Sequence, residues 1–494
     1  MVQRLGQEGR LIRYPGNPVP SPRKVLFISA DQWRGECLSV LGHPVVKTPH
    51  LDALVADGVL FKRHFSVTSP CGPSRSSMHT GMYLMNHRSG RNGTPLDRRH
   101  TNIAHEVRKL GLDPMLFGYT DTSVDPRGLD PLDPALRTFE GPLPGYHIGL
   151  LFPDYIAAWM SDLRKKGYAF EGRHDVYQPK PDFVVPADRG HRFIPTIFKA
   201  EDSDTNFMAD AVIEWLGDHR QQDWFMHCVF LRPHPPVITP EPYNARYDPA
   251  DIELPRRHPS AQEEARLHPH LAQRIRGLSQ PNKYDEHNPL NLVEMPDLEL
   301  RQMRACYYGM MSEVDDAVGR IVAHLKETGE YDSTLILFTC DHGEMGGDHY
   351  TWGKETTFDQ SFFIPLIIRD PRPAAQATRA RHVDSDLHGL QVANDVRHLC
   401  VRRGRGEVAA DETIEVALQA GITFWRGKDF LAEGEQLLDP LAELVGEAGQ
   451  IAARLFGHAD EASFSEREGR LEYVGEEGKE MHARFVEFER RIAK

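Results

Sequence analysis

Cysteine is scarce in this chain. Six residues (Cys37, Cys71, Cys228, Cys306, Cys340 and Cys400) are scattered through 494 positions with no CxxC and no paired spacing. That distribution does not build a disulfide framework, so the chain reads as reduced and cytoplasmic. Long apolar runs are missing as well. No stretch approaches the length of a membrane span, and the opening MVQRLGQEGRLIRYPGNP lacks the apolar core of a secretory signal, so neither an anchor nor export is expected. Basic residues are not in excess either. The 58 Lys and Arg face 72 Asp and Glu, a formal net charge of -14, which argues against general affinity for nucleic acid or an anionic membrane. An anionic small-molecule partner would therefore need a local positive site.

What is present is an ordinary globular composition on a long chain. Hydrophobic residues at 40% and charged residues at 26% suffice for a sizeable core, and the length suits one large α/β unit with a smaller appended lobe. Residues 1–23 are polar and bear Pro and Gly, and read as an arm. Val25 to Ala30 is then a short continuous apolar run ending in Asp31. Such a run suits a strand buried on both faces, and a polar residue at its C-terminal end lies on the edge where α/β sheets hold ligands. Asp31 is thus a candidate ligand or catalytic group, with the N-cap of a following helix as the plainer alternative. PHLDALVADG (49–58) predicts a short amphipathic helix, and VLFKRHFSV a returning strand.

Next comes Ser69 to Gly81, SPCGPSRSSMHTG, on a turn that can lead into a helix. A side chain placed there meets free backbone N–H groups and the positive end of a helix dipole, which favour an anion. Cys71 is the candidate nucleophile; the alternative is a small buried apolar cysteine at a helix start. Ser74 and Ser76 carry hydroxyls but no obviously placed base.

Further along, PMLFGYT predicts a strand reaching Tyr119 and Thr120 beside Asp121. Residues 125–202 have weak periodicity and read as surface excursions. A helix is expected at 206–218, and WFMHCVFLRPHPP reads as a strand running into a proline-braced loop at His234. A long helix is expected from Leu300 to Gly329, followed by TLILFTCDHGE, a second buried strand ending in Asp341 with His342 beside it. Two strand ends bearing Asp, with an imidazole added, supply the donor types of a divalent-metal site.

Taken together, Cys71-Gly-Pro-Ser-Arg75, the strand-end Asp31 and Asp341-His342-Gly-Glu resemble the formylglycine-dependent sulfatases of the alkaline phosphatase superfamily. Asp31-Gln32-Trp33-Arg34, Tyr83-Leu-Met-Asn-His87, Arg232-Pro-His-Pro-Pro236 and the run from Gly347 to Lys354 are similar to the phosphonate monoester hydrolase and arylsulfatase subgroup. The resemblance covers residues 24–370. It implies an α/β fold with a mostly parallel mixed central sheet flanked by helices, and a smaller C-terminal lobe. It also implies oxidation of Cys71 to formylglycine by a formylglycine-generating enzyme, and one divalent ion (Ca, Mn or Mg). Asp31, Asp341, His342 and the modified Cys71 would hold that ion, with Gln32 an extra ligand. Arg75 would brace the nucleophile, Lys354 and His234 would contact the transferred group and assist the leaving group, and Asn92 and Tyr119 would line the pocket. Lys354 taken alone would read as a solvated surface lysine. The implied reaction is hydrolysis of small, singly charged sulfate monoesters, phosphonate monoesters and phosphodiesters. A sulfatase dedicated to one metabolite is the narrower reading. Homo-oligomers are general in the subgroup.

Two features depart from the family pattern. Asp121 stands where the subgroup would carry threonine, placing a carboxylate beside an anion site, where it is protonated, metal-bound, turned away or selective for a leaving group that is cationic or donates hydrogen bonds. After Asp370, Arg379-Ala-Arg-His382 and Arg397-His-Leu-Cys-Val-Arg-Arg403 do not continue the pattern, and the acidic stretch from Asp411 reads as mainly helical. Residues 371–494 are therefore either a divergent lobe or the product of a shifted reading frame, and an altered C-terminus leaves an impaired or binding-only protein as the rival to an enzyme.

Overall fold

The computed structural model describes residues 24–138, 141–151, 156–173, 175–278, 291–372 and 375, together with the backbone of 381–388, 464–467 and 470–473. The chain divides into two units, 1–422 and 423–494. In the first, eight strands form one sheet: β1 (Lys24–Asp31), β2 (Val59–Phe65), β3 (Pro114–Gly118), β4 (His147–Leu151), β5 (Trp224–Pro233), β6 (Thr334–Cys340), β7 (Leu366–Arg369) and β8 (Arg381–His388), in the order β4-β3-β5-β1-β6-β7-β2-β8. Among these, β7 pairs antiparallel with β6 and β2, and the other pairings are parallel. This is the mostly parallel mixed sheet expected.

The central strand shows why. All eight residues of β1 are buried between β5 and β6, so its polar/apolar alternation disappears into a continuous apolar run. Its side chains still divide by the period of two. Leu26, Ile28 and Ala30 enter the core on one face with Leu51, Leu54 and Val55 of α1 (Pro49–Ala56), and Val25 and Phe27 enter a second core on the other face. α2 (Cys71–Thr80) follows β2. The second core receives Ile103, Ala104 and Val107 of α3 (Ile103–Arg108), whereas α4 (Asp204–Asp218) and α5 (Asp297–Glu327) pack with α1.

Element ends follow local chemistry. α4 begins two residues earlier than its apolar pattern because Ser203 caps it, the hydroxyl accepting from Asn206 N. β3 stops at Gly118, whose φ of 121° and whose approach to Val229 O, 2.6 Å from where a Cβ would sit, exclude a larger residue. β4 lies inside the stretch read as surface excursions. It is an edge strand whose side chains are exposed or half-buried, with Gly149 interrupting its apolar residues. After residue 370, β8 pairs in parallel with β2, and β9 (Phe464–Arg467) and β10 (Arg470–Tyr473) form an antiparallel pair in the second unit. These are short strands within a region expected to be mainly helical, and most of that expectation falls on residues outside those described. The rest of 371–494, like the arm at 1–23, lies outside the described residues. No helix among the described residues is long and apolar enough to cross a membrane.

The fold sets the site by direction alone. Asp31, Asp121, His234 and Asp341 all lie at or just past the C-terminal ends of parallel strands, and β2 delivers the chain to Cys71 at the start of α2.

Candidate active site

Asp31, Cys71, Asp341 and His342 are buried and each offers one ligand atom to a group whose atoms all lie within 4.8 Å of one another. Arg75 organises the two carboxylates. It sits one turn after Cys71 on α2, so both side chains share a helix face. It is fully buried, donating from Nε to Asp341 Oδ2 at 2.8 Å, from Nη2 to Asp31 Oδ2 at 3.0 Å and from Nη1 to the Tyr119 carbonyl at 3.2 Å. Its guanidinium also stacks over the Tyr119 ring, 4.3 Å from the centroid. Arg75 therefore braces the ligands more directly than the nucleophile. The Tyr119 hydroxyl donates to Asp31 Oδ2, so this residue orients Asp31 and is more than a pocket wall.

His342 is fixed as a tautomer. Nδ1 donates to the Gly343 carbonyl at 3.0 Å, leaving the Nε2 lone pair directed at Cys71 Sγ (3.1 Å), Asp341 Oδ2 (3.5 Å) and Asp31 Oδ1 (3.6 Å). The turn carrying it needs glycine next, because a Cβ on Gly343 would meet Gln360 O at 2.0 Å. Asp341 Oδ1 accepts from the backbone of Gln32 and His342, at 3.1 and 2.9 Å. Asp31 Oδ1 is buried with no hydrogen-bond partner among the described residues. An oxygen desolvated in that way is costly unless something charged completes it. Two carboxylates, an imidazole nitrogen and a sulfur position facing that oxygen fit a divalent cation with a preference for oxygen.

Electrostatics agree with the geometry. Burial works to raise Asp31, but His234, Arg75 and Lys354 outweigh it and hold the carboxyl well below its usual range. Burial, reinforced by Asp31, pushes the Cys71 thiol well up, so an unmodified thiol here is a weak nucleophile. Burial pulls His234 down to about 4, with Lys354 adding to the effect. Lys354 is held above its ordinary value: burial opposes this, and the charges of Cys71, Asp31 and Asp341 prevail.

The remaining expected residues fall around this cluster. Lys354 Nζ donates to Gln32 Oε1 at 2.7 Å and also reaches Cys71, so it belongs to the site and not to the solvated surface. Gln32 lies beside the ligand group: its side-chain Oε1 accepts from Lys354 and its Nε2 donates to Glu344. Asn92 is exposed, and its Oδ1 accepts from Gly72 N at 2.9 Å, fixing the turn beside Cys71. Asp121 is buried with φ of 49°, and its carbonyl packs 3.2 Å from where a Gly72 Cβ would sit. His234 is half-buried, its Nδ1 donating to the Pro235 carbonyl at 2.8 Å.

Glu344 is a functional residue that the sequence reading passed over. Fully buried, it accepts from the backbone of Gly346 (2.8 Å) and Gly353 (2.6 Å) and from Gln32, and so shapes the loop that delivers Lys354. Its place directly after Asp341-His342-Gly was the available signal.

A nucleophile position on a helix start, hard ligands on neighbouring strand ends and a half-buried lysine define a hydrolase of the sulfatase type. The sulfatase family model matches residues 23–388, and the chain belongs to that family. It is 35% identical over 380 residues to the multifunctional alkaline phosphatase superfamily protein PehA of Trinickia caryophylli, covering 76% of this chain and 72% of that one. It is 27% identical over 383 residues to an arylsulfatase of Clostridium perfringens (74% and 72%). The crystal structure of the phosphonate monoester hydrolase of Agrobacterium radiobacter superposes with a TM-score of 0.71 at 42% identity, covering 78% of this chain and 74% of the other. The chain is a hydrolase acting on ester bonds, of the sulfatase and phosphonate monoester hydrolase kind.

Proposed function

We propose that this chain is a metal-dependent hydrolase of small, singly charged tetrahedral esters (sulfate monoesters, phosphonate monoesters and phosphodiesters) whose nucleophile is formylglycine made from Cys71 by a formylglycine-generating enzyme. The observation that carries this reading is the convergence of Asp31, Cys71, Asp341 and His342 around the unpartnered Asp31 Oδ1, with Lys354 beside them. A divalent ion held by these residues, together with a hydrated aldehyde at position 71, would supply an activated oxygen nucleophile at neutral pH.

The chain's own residues do the rest. Arg75 and Tyr119 fix the Asp31 carboxylate, and Arg75 fixes Asp341, so the ligand set is organised before substrate arrives. Lys354, kept as an ammonium, meets one negative charge on the transferred group. His234 commits Nδ1–H to Pro235, leaving Nε2 as the atom that can carry a proton to the leaving oxygen. The free imidazole is neutral, and an anionic substrate beside it raises its proton affinity. Asp121 adds negative charge near Cys71, which disfavours dianions such as phosphate monoesters. The similarity to PehA, an arylsulfatase and a phosphonate monoester hydrolase supports this substrate range.

The test compares turnover of one aryl alcohol's sulfate, methylphosphonate, phosphodiester and phosphate esters, before and after chelation. Turnover of the three monoanions, weak turnover of the phosphate monoester and loss on chelation are expected. A preference for the phosphate monoester, or full activity after chelation, contradicts the reading.

A further inference from the structure

Behind the loop carrying His234 lies a buried ionic network that contains none of the residues assigned above. Arg232, in β5, is 2% exposed. Its Nη1 donates to the carbonyls of His234 at 3.3 Å and Pro236 at 2.7 Å, so one guanidinium ties the loop down on both sides of Pro235. Its Nε lies 3.3 Å from Asp204 Oδ2, and the Tyr177 ring lies 4.5 Å from its Cζ. The Tyr177 hydroxyl donates to the same Asp204 oxygen at 2.9 Å. Asp204 opens α4, and Glu313, in α5 and 1% exposed, accepts from Thr239 Oγ1 at 3.4 Å and from Ser203. Asp204 is thus the carboxylate that meets the buried Arg232 cation.

Burial, then the charge of Asp204, pushes Glu313 up to about 8. With Glu313 protonated, the three groups sum to zero charge. The other titratable groups that face it, Tyr177, Tyr243 and Cys306, are all raised by burial and stay neutral.

We propose that Arg232 is a positioning residue: clamped by Asp204, it locks the His234–Pro236 backbone and so aims the His234 ring at the leaving group. The inference rests on the leaving-group role given to His234 above.

The experiment compares wild type with Arg232→Met, Arg232→Lys and His234→Ala on two methylphosphonate monoesters, one with a nitrophenol and one with a phenol leaving group. General-acid assistance is worth about 10²–10⁴-fold, so His234→Ala and Arg232→Met should each lose at least about tenfold more kcat on the phenyl ester than on the nitrophenyl ester. KM should stay within about twofold, as for an interaction made only in the transition state. Arg232→Lys, which keeps the charge but cannot span Asp204 and both carbonyls, should fall between and serves if the methionine variant does not fold. If His234→Ala shows no leaving-group dependence, the role of His234 itself is wrong. If it does, and the Arg232 variants lose both esters equally, the positioning inference is overturned.

Discussion

Replacing Arg75 by methionine removes a side chain that donates to both Asp31 and Asp341 while nearly preserving its volume. Both carboxylates are buried to 1% exposure, so in metal-free protein they would be left facing each other without their shared counter-charge. Breaking a buried pair by removing one partner costs about 3–5 kcal/mol. Unfolding entropy near 60 °C is about 2.1 cal/mol/K per residue, which over the matched residues 23–388 gives about 0.8 kcal/mol/K, so Arg75→Met should lower Tm by about 4–6 °C. The assay is thermal denaturation after dialysis against a chelator. Adding manganese or calcium should then raise the variant's Tm by more than it raises that of wild type, because a cation now neutralises charges that Arg75 no longer meets, and a ligand of the folded state stabilises in proportion to its affinity. A Tm loss below about 1 °C, or a metal response no larger than wild type's, would refute the frame assigned to Arg75.

Gly343→Ala should displace His342, since a Cβ there collides with Gln360 O at 2.0 Å; the expected outcome is at least about tenfold weaker metal activation, read from the cation concentration that restores turnover, and an unchanged value refutes it. His79 is buried with both ring nitrogens lacking hydrogen-bond partners among the described residues, and burial, then Arg75, pulls it from 6.5 down to about 3. Between those values the unfolded chain binds a proton that the folded chain refuses, so this contribution to stability is full above pH 6.5 and is lost as pH falls toward 3, by up to about 5 kcal/mol. Denaturant midpoints measured across that range should fall steeply for wild type and less steeply for His79→Phe; equal slopes exclude His79 as a source.

The strand-end ligands were legible because burial on both faces turns β1 and β6 into continuous apolar runs, and each run stops at a carboxylate. α5 was legible from its period. The partners of Arg75 were not: Asp341 is 266 residues away and Asp31 is 44 away, and no local pattern pairs them. Tyr119 passed for a wall because its hydroxyl bond to Asp31 depends on the neighbouring register of β3, β5 and β1. The hydrogen bonds of Gln32 to Lys354 and Glu344 appear only when the 343–354 loop folds over it. β4 and β8 escaped notice for a simpler reason. The first is an edge strand with little buried surface, and the second, RHVDSDLH, carries no apolar run.

The central claim is that Cys71 is a precursor, and the mass of the peptide containing it tests this most directly. Protein produced alongside a formylglycine-generating enzyme should yield the Ser69–Gly81 region with the side chain –CH2SH converted to –CHO, and that species should react with an aldehyde-specific hydrazide. Recovery of active, metal-loaded enzyme whose position 71 is entirely unmodified cysteine would contradict the account.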